Sequence, residues 1–313
     1  MPERKFPKPR KKIVDQEAVG KFLVGIGFNV ETIAQEWRHL HAFGLYMGKP
    51  SVFKLASTQA TGEKTQNEYK WNDAVHQTPE VGRQFFTVPK NYSSGLYGKL
   101  FYFISERFVG EALGGHDSAE TLEVAQNLMQ IARANREIEE LSISPNSAFA
   151  QTKKARLQEK IPPGHRLLAS ASEWAQVVPI DVSPYLKIIE GAKDKVRACV
   201  THGDFTIRQI FPMQGKIGII DGEHAGLKGV MHYDTAYFYS TLRSNYNFNK
   251  EANEYLKIFQ SLLPVTDRRI FWDELKPVLA QRFIGMLFSN NTNPNKLAEL
   301  TPIGKEILRD KIL

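Results

Sequence analysis

There is a single cysteine, Cys199, in 313 residues. That excludes an internal disulfide and any cysteine-based zinc cluster, and it suits a reducing compartment such as the cytoplasm. No run of 18 or more apolar residues occurs, so no segment reads as a membrane-spanning helix. The basic start, Met1 to Lys12, has no apolar stretch behind it and does not read as a secretory signal. Charge of one sign is missing from the body as well. The formal net charge is +7, but residues 1–12 carry six basic side chains and one acidic, and the remainder is nearly neutral. A Pro- and Lys-rich tail reads as solvated chain that meets nucleic acid or an anionic surface only as a tail. A nucleic-acid-binding body would keep a basic face of its own. What is present is a hydrophobic fraction of 42%, ample for a sizeable core in one large or two medium domains.

The chain is organised around residues 198–223. Ala198-Cys199-Val200 reads as a short apolar strand running into His202-Gly203-Asp204, and Ile217 to Ile220 as another running into Asp221. Between them Ile210-Phe211-Pro212 and Met213-Gln214-Gly215-Lys216 read as a strand and a tight turn, so the segment folds back as a hairpin. Asp204 and Asp221 then meet at one rim. Two carboxylates so placed repel, and need a cation or a proton between them.

His202-Gly203-Asp204, the amide Gln209 five residues on, and Ile219-Ile220-Asp221-Gly222-Glu223 together resemble the aminoglycoside phosphotransferase and choline kinase-like family. Gly229-Val230-Met231-His232-Tyr233-Asp234-Thr235-Ala236 is similar to the segment that follows in that family. The resemblance implies an α+β, two-lobed protein kinase-like fold, with a small antiparallel sheet and one helix before a larger, mainly helical lobe. It implies ATP and magnesium as cofactors and a small-molecule hydroxyl as phosphate acceptor, with no membrane partner. By the same resemblance Asp204 is the catalytic aspartate, Asp221 binds metal, and Asp234 hydrogen-bonds the catalytic-loop backbone. His202 supports the loop, and Glu223 is either a metal or water contact or a residue without such a role. Lys54, on the strand Ser51-Val52-Phe53-Lys54-Leu55-Ala56, corresponds to the lysine that holds the α- and β-phosphates, and Glu68 to its helix partner. A buried strand lysine needs anionic partners, and phosphates plus a carboxylate supply them. The strand ending at Glu106, followed by Phe108-Val109-Gly110-Glu111, corresponds to the hinge, where backbone groups around Glu106 and Phe108 hold adenine.

Several features depart from the pattern; Thr206 and Arg208 replace residues commonly His and Gly there, Arg208 being either a phosphate or substrate contact or a surface cation. Gln209 stands where the family has a metal-binding asparagine; its amide oxygen is the same ligand on one more methylene. The phosphate-covering glycine loop is missing, since Gly25-x-Gly27 precedes the first strand and the turn from Gln35 to Arg38 contains no glycine. The first reading is therefore an ATP- and Mg-dependent small-molecule kinase. The alternative is a catalytically weak kinase-like protein that binds nucleotide or a partner, and a third reading is nucleic-acid binding through the basic tail. The acceptor and the oligomeric state stay open, although a near-neutral second lobe argues against a polycationic aminoglycoside.

The expected organisation is a tail at 1–12, a nucleotide-binding lobe at 13–106 and a catalytic and substrate-binding lobe at 107–313. Asp15 caps a first helix to Leu23, and strands run over Phe28–Glu36, Leu40–Met47 and Ser51–Ala56. A helix spans Thr65–Gln77 with Glu68 in its first turns. Strands over Arg83–Val88 and Lys99–Ser105 flank a turn at Asn91–Gly95. Asp117-Ser118-Ala119-Glu120 forms a capping box opening a helix through Leu141. Short pieces broken by proline fill 142–182, Ser183-Pro184 opens a helix to about Arg197, and helices follow over Tyr233–Arg243, Lys250–Leu263, Trp272–Asn290 and Pro302–Leu313.

Overall fold

Alternating apolar and polar residues after Phe28 make three consecutive strands, and their inward faces need a cover on both sides of the sheet. In the computed structural model, which describes residues 13–115, 119–310 and 312, the chain begins with α1 (Gln16–Gly25), β1 (Phe28–Glu36), β2 (His39–Tyr46), β3 (Lys49–Ala56) and α2 (Gln59–Gln77). It continues with β4 (Phe86–Thr87), β5 (Asn91–Tyr97) and β6 (Leu100–Glu106). Five strands form an antiparallel sheet in the order β1-β2-β3-β6-β5. One face carries Phe28, Leu40, Ala42, Phe53, Leu55 and Ile104 and buries them against Val19 and Leu23 of α1. Because side chains alternate along a strand, Lys54 points to the other face. There it stands in register with His41 and Phe103, and Phe103 meets Tyr69 of α2.

Beyond β6 come α3 (Thr121–Glu140), α4 (Lys153–Lys160), α5 (Pro163–Ala175) and α6 (Ser183–Ala192), then β7 (Ala198–Thr201), β8 (Ile210–Pro212), β9 (Ile217–Ile219) and β10 (Gly226–Val230). Four helices close the chain: α7 (Tyr233–Tyr246), α8 (Asn249–Leu262), α9 (Val265–Ser289) and α10 (Pro294–Leu308). Their apolar faces make a second, larger core that includes Ile131, Ile138, Phe238, Tyr255, Phe259 and Leu279. Trp71 and Val75 of α2 also belong to this core, so α2 ties the sheet to the helical part. β8 and β9 form the expected hairpin, while β7 pairs with β10.

Several boundaries differ from the sequence reading. α2 begins six residues early because the Thr58 side chain caps it, accepting from the Thr61 N–H at 3.1 Å, and Glu68 therefore lies mid-helix. Of residues 83–88 only Phe86–Thr87 is strand, and it pairs in parallel with β9 rather than joining the five-stranded sheet. The expected turn at Asn91–Gly95 is strand β5. Glycine is tolerated there because a Cβ on Gly95 would meet the Tyr102 hydroxyl at 2.8 Å. α6 stops at Ala192. α9 begins seven residues early and carries Pro277 inside, and α10 begins at Pro294 behind an Asn293 cap, so Pro302 is interior. Asp117 and Ser118 of the expected capping box lie outside the described residues, as does the basic tail. α3 starts at Thr121 behind Glu120, whose side chain forms no cap.

Candidate active site

The face of the sheet that carries Lys54 looks onto the end of β9. There Asp221 adopts the left-handed backbone region (φ 66°), which swings its carboxylate out of the strand direction. Lys54 Nζ donates to Glu68 Oε2 at 2.6 Å and to Asp221 Oδ1 at 2.7 Å. Lys54 and Glu68 are both buried. Burial works against the ammonium, but Asp221 and Glu68 outweigh it and hold the Lys54 pKa above its ordinary value. Burial likewise opposes ionisation of Asp221, and Lys54 overcomes it, pulling the Asp221 pKa down. At neutral pH both are charged.

The segment after Asp221 is clamped by α2. Asn67 Nδ2 donates to the carbonyls of Glu223 at 3.2 Å and Ala225 at 3.0 Å, and a Cβ on Gly222 would meet the Trp71 ring at 2.2 Å. The His202–Asp204 stretch is held from α7. Asp234 accepts the His202 N–H at 2.6 Å and the Gly203 N–H at 2.8 Å. Burial pushes Asp234 up to about 7 against the pull of those two donors. His202 is buried between Trp71 and Phe205, and burial keeps its imidazole neutral.

Gln209 joins the two aspartates. Its Nε2 lies 3.2 Å from Asp204 Oδ2 and 3.5 Å from Asp221 Oδ2, while its Oε1 accepts the Thr206 hydroxyl at 2.9 Å. The amide thus does in this structure what a shared cation would do, presenting N–H dipoles to both carboxylates. A half-turn of the amide exchanges its two ends. Thr206 Oγ1 can then accept instead of donate, and Oε1 faces Asp221 as a ligand. Among the described residues no group of three or more His, Cys, Asp or Glu is placed to hold a metal alone. A divalent ion here would need ligands from a phosphate, which is the manner in which magnesium is usually held.

Glu223 has one oxygen, Oε1, engaged by its neighbours, while Oε2 has no hydrogen-bond partner among the described residues. The side chain is buried, ion-paired to Arg38 and 3.1 Å from His224 Nε2. Arg38 follows Trp37 at the tip of the β1–β2 turn, and Trp37 takes φ 51° where a glycine would be at ease. At the other end of the cleft, Glu106 turns its carboxylate to the Lys90 N–H at 3.2 Å, and its own N–H donates to Lys90 at 2.8 Å. Phe108 is buried against Phe211 and over Gly218, joining β6 to the hairpin. Its N–H has no acceptor among the described residues. A cavity of about 270 Å³ opens beside it, lined by Glu31, Leu45, Pro50, Arg107 and Phe108 among others.

Four groups around this site were not singled out from the sequence. His41 stands opposite Lys54 and is held down to about 4 by burial and by Lys54. Tyr237 feels the Asp204 carboxylate electrostatically and lies under the Arg282 guanidinium, 4.0 Å from the ring centroid. Lys154 of α4 donates to the His224 carbonyl. Each is far from the Asp204 segment in sequence, and no local pattern marks it.

No protein-family model matches the chain, and no curated protein is significantly similar to it. Solved structures are similar. The aminoglycoside phosphotransferase APH(4)-Ia, in a ternary complex with ADP and hygromycin B, superposes with a TM-score of 0.65 at 15% identity, over 93% of this chain and 98% of that one. Aminoglycoside 2'-phosphotransferase-IIIa in its GDP complex gives 0.60 at 14% identity, over 95% and 99%. Amicoumacin kinase hAmiN, with AMP-PNP, Ca2+ and Ami, gives 0.51 at 13% identity, over 95% and 94%. An antiparallel sheet followed by a helical part is the fold these phosphotransferase structures share with the protein kinases, and it is the fold of this chain.

Proposed function

We propose that this chain is an ATP-dependent phosphotransferase that moves the γ-phosphate to a hydroxyl of a small molecule. The observation that carries the reading is Lys54, buried between Glu68 and Asp221, with Asp204 linked to Asp221 through one amide. Bound ATP with magnesium would supply an electrophilic γ-phosphorus: the acceptor oxygen bonds to it as its bond to the β-phosphate oxygen breaks, and that electron pair leaves with ADP. Lys54 neutralises phosphate charge while Glu68 and Asp221 hold its ammonium in place. Asp221, with Gln209 after the amide turn, would hold magnesium. Asp204 orients the acceptor hydroxyl and takes its proton, then releases it to solvent. The Phe108 N–H and the backbone beyond Glu106 offer adenine its hydrogen bonds. In this reading residues 13–106 form the nucleotide-binding lobe and 107–313 the acceptor lobe, and the enzyme belongs in the cytoplasm, where ATP is made and Cys199 stays reduced.

A second reading, nucleotide binding with little turnover, is favoured by the direction of the Gln209 amide, whose donors rather than oxygen face the aspartates. One experiment separates the two. ATP with magnesium should raise the melting temperature, since a ligand at 100 times its Kd adds about 2.7 kcal/mol. Asp221→Ala should abolish the magnesium-dependent part. Stabilisation accompanied by ADP release on an acceptor screen supports catalysis; stabilisation without release supports the second reading. Absence of stabilisation by any nucleoside triphosphate sinks both.

A further inference from the structure

Not every cation around the Asp204 segment has a carboxylate within ion-pairing distance. Lys54 is matched by Glu68 and Asp221, and Arg38 by Glu223. Three cations are left. Lys154, on the first turn of α4, donates to the His224 carbonyl, and that carbonyl packs on Gly203, where a Cβ would meet it at 2.3 Å. The Lys154 ammonium thus sits against the backbone that packs on Gly203, the residue before Asp204. Lys64, exposed on α2 one turn before Glu68, is close enough to interact electrostatically with Asp221, Lys154 and His224. Arg282 stacks on Tyr237, which Asp204 influences electrostatically, and donates to the Tyr233 hydroxyl at 3.1 Å. Among the described residues no carboxylate forms an ion pair with Lys154, Lys64 or Arg282.

A half-buried lysine with one carbonyl for a partner is costly to keep charged, and burial lowers Lys154 to about 8, with Lys64 and Arg166 adding to the effect and Asp234 opposing it. An anion brought to it would restore the charge and use its two remaining N–H donors. A polycation would be repelled by all three groups, and a neutral polyol would leave them unmatched. Arg282 adds a planar guanidinium beside an aromatic pair, suited to a carboxylate or phosphate.

We infer that the phosphate acceptor is itself anionic, a hydroxyl compound bearing a phosphate or carboxylate, with Lys154 and Lys64 holding that group and Arg282, stacked on Tyr237, adding a further cation. The inference rests on the phosphotransferase reading and deepens it. The reaction balances as before: the acceptor hydroxyl oxygen bonds to the γ-phosphorus, its proton passes to Asp204 and on to solvent, and ADP leaves with the electron pair. The acceptor's own anionic group is unchanged.

The test begins with nucleotide stabilisation of the native chain, which judges the phosphotransferase reading by itself. ADP release is then measured on matched pairs, a sugar against its monophosphate and a polyol against the corresponding acid, with one polycationic aminosugar. The anionic member should be preferred by about tenfold or more in kcat/KM. Lys154→Gln, which keeps a donor for the His224 carbonyl, and Lys64→Gln should each raise the KM for that acceptor about 10- to 100-fold and leave the KM for ATP within about twofold. Preference for a neutral or polycationic acceptor overturns the inference. So does an equal rise in the KM for ATP, which would assign the lysines to the donor's triphosphate. If no acceptor in the panel turns over, inorganic phosphate is titrated into the chain saturated with AMP-PNP and followed by melting temperature. Stabilisation of the native chain that Lys154→Gln removes supports the site, and equal or absent stabilisation overturns it.

Discussion

Asp204 and Lys54 differ in what their removal leaves behind. Asp204 is half-exposed and accepts from Gln209, so Asp204→Asn keeps the shape while deleting the proton acceptor of the proposed reaction. Turnover should fall about 1,000-fold, within the range of a lost general base, while nucleotide still raises the melting temperature; loss of both would assign Asp204 to binding instead. Lys54→Met strands Glu68 as a buried carboxylate whose pKa burial already pushes up. It should lower stability in urea by about 3 kcal/mol at pH 7 and abolish nucleotide stabilisation. Both residues were legible in the sequence because each sits in a local signature, an aspartate after an apolar strand or a lysine within one. Gln209 was legible as a departure, but not its hydrogen bonds, since an amide points according to its neighbours.

The elements that hold the site depend on tight approaches and on one buried histidine. Gly203 takes φ +82° against the His224 carbonyl. Gly203→Ala should cost about 1–3 kcal/mol in denaturant and reduce turnover with it, because His202 and Gly203 present their N–H groups to Asp234. His232, the residue before α7, lies buried between Glu139 (3.1 Å) and Glu274 (3.5 Å). Burial alone would lower its pKa, but Glu139 and Glu274 raise it to about 9 from 6.5. A folded-state pKa above the unfolded one means the protonated imidazole stabilises the fold. That contribution is complete below pH 6.5 and is lost as pH rises through about 9. Melting temperature should therefore decline between those values, and His232→Asn should flatten the decline; an unchanged slope in the variant would place its origin elsewhere. The strands, helices and hairpin were readable from apolar period and turn residues. Helix starts were misplaced where a cap, Thr58 or Asn293, extended the helix beyond its apolar face, and β4 was assigned to the wrong sheet because its partner β9 lies 130 residues away.

For the molecule as a whole, charge and stability are separable. Residues 1–12 carry most of the +7, so their removal should weaken retention on an anionic matrix and any salt-sensitive nucleic-acid binding. The melting temperature and its response to nucleotide should be unchanged, and a loss of that response would tie the tail to the site. The sequence by itself determined the soluble-type composition, the order of elements, the α+β kinase-like arrangement and the paired aspartates, because each is written in residues close together in the chain. Only the tertiary structure decided that Arg38 closes on Glu223, that α2 bridges two cores, and that Lys154 meets the His224 carbonyl and Arg282 the Tyr237 ring without an ion-paired carboxylate. Those are contacts between segments tens to hundreds of residues apart, and their energies arise when burial brings charges together that water kept independent along the unfolded chain.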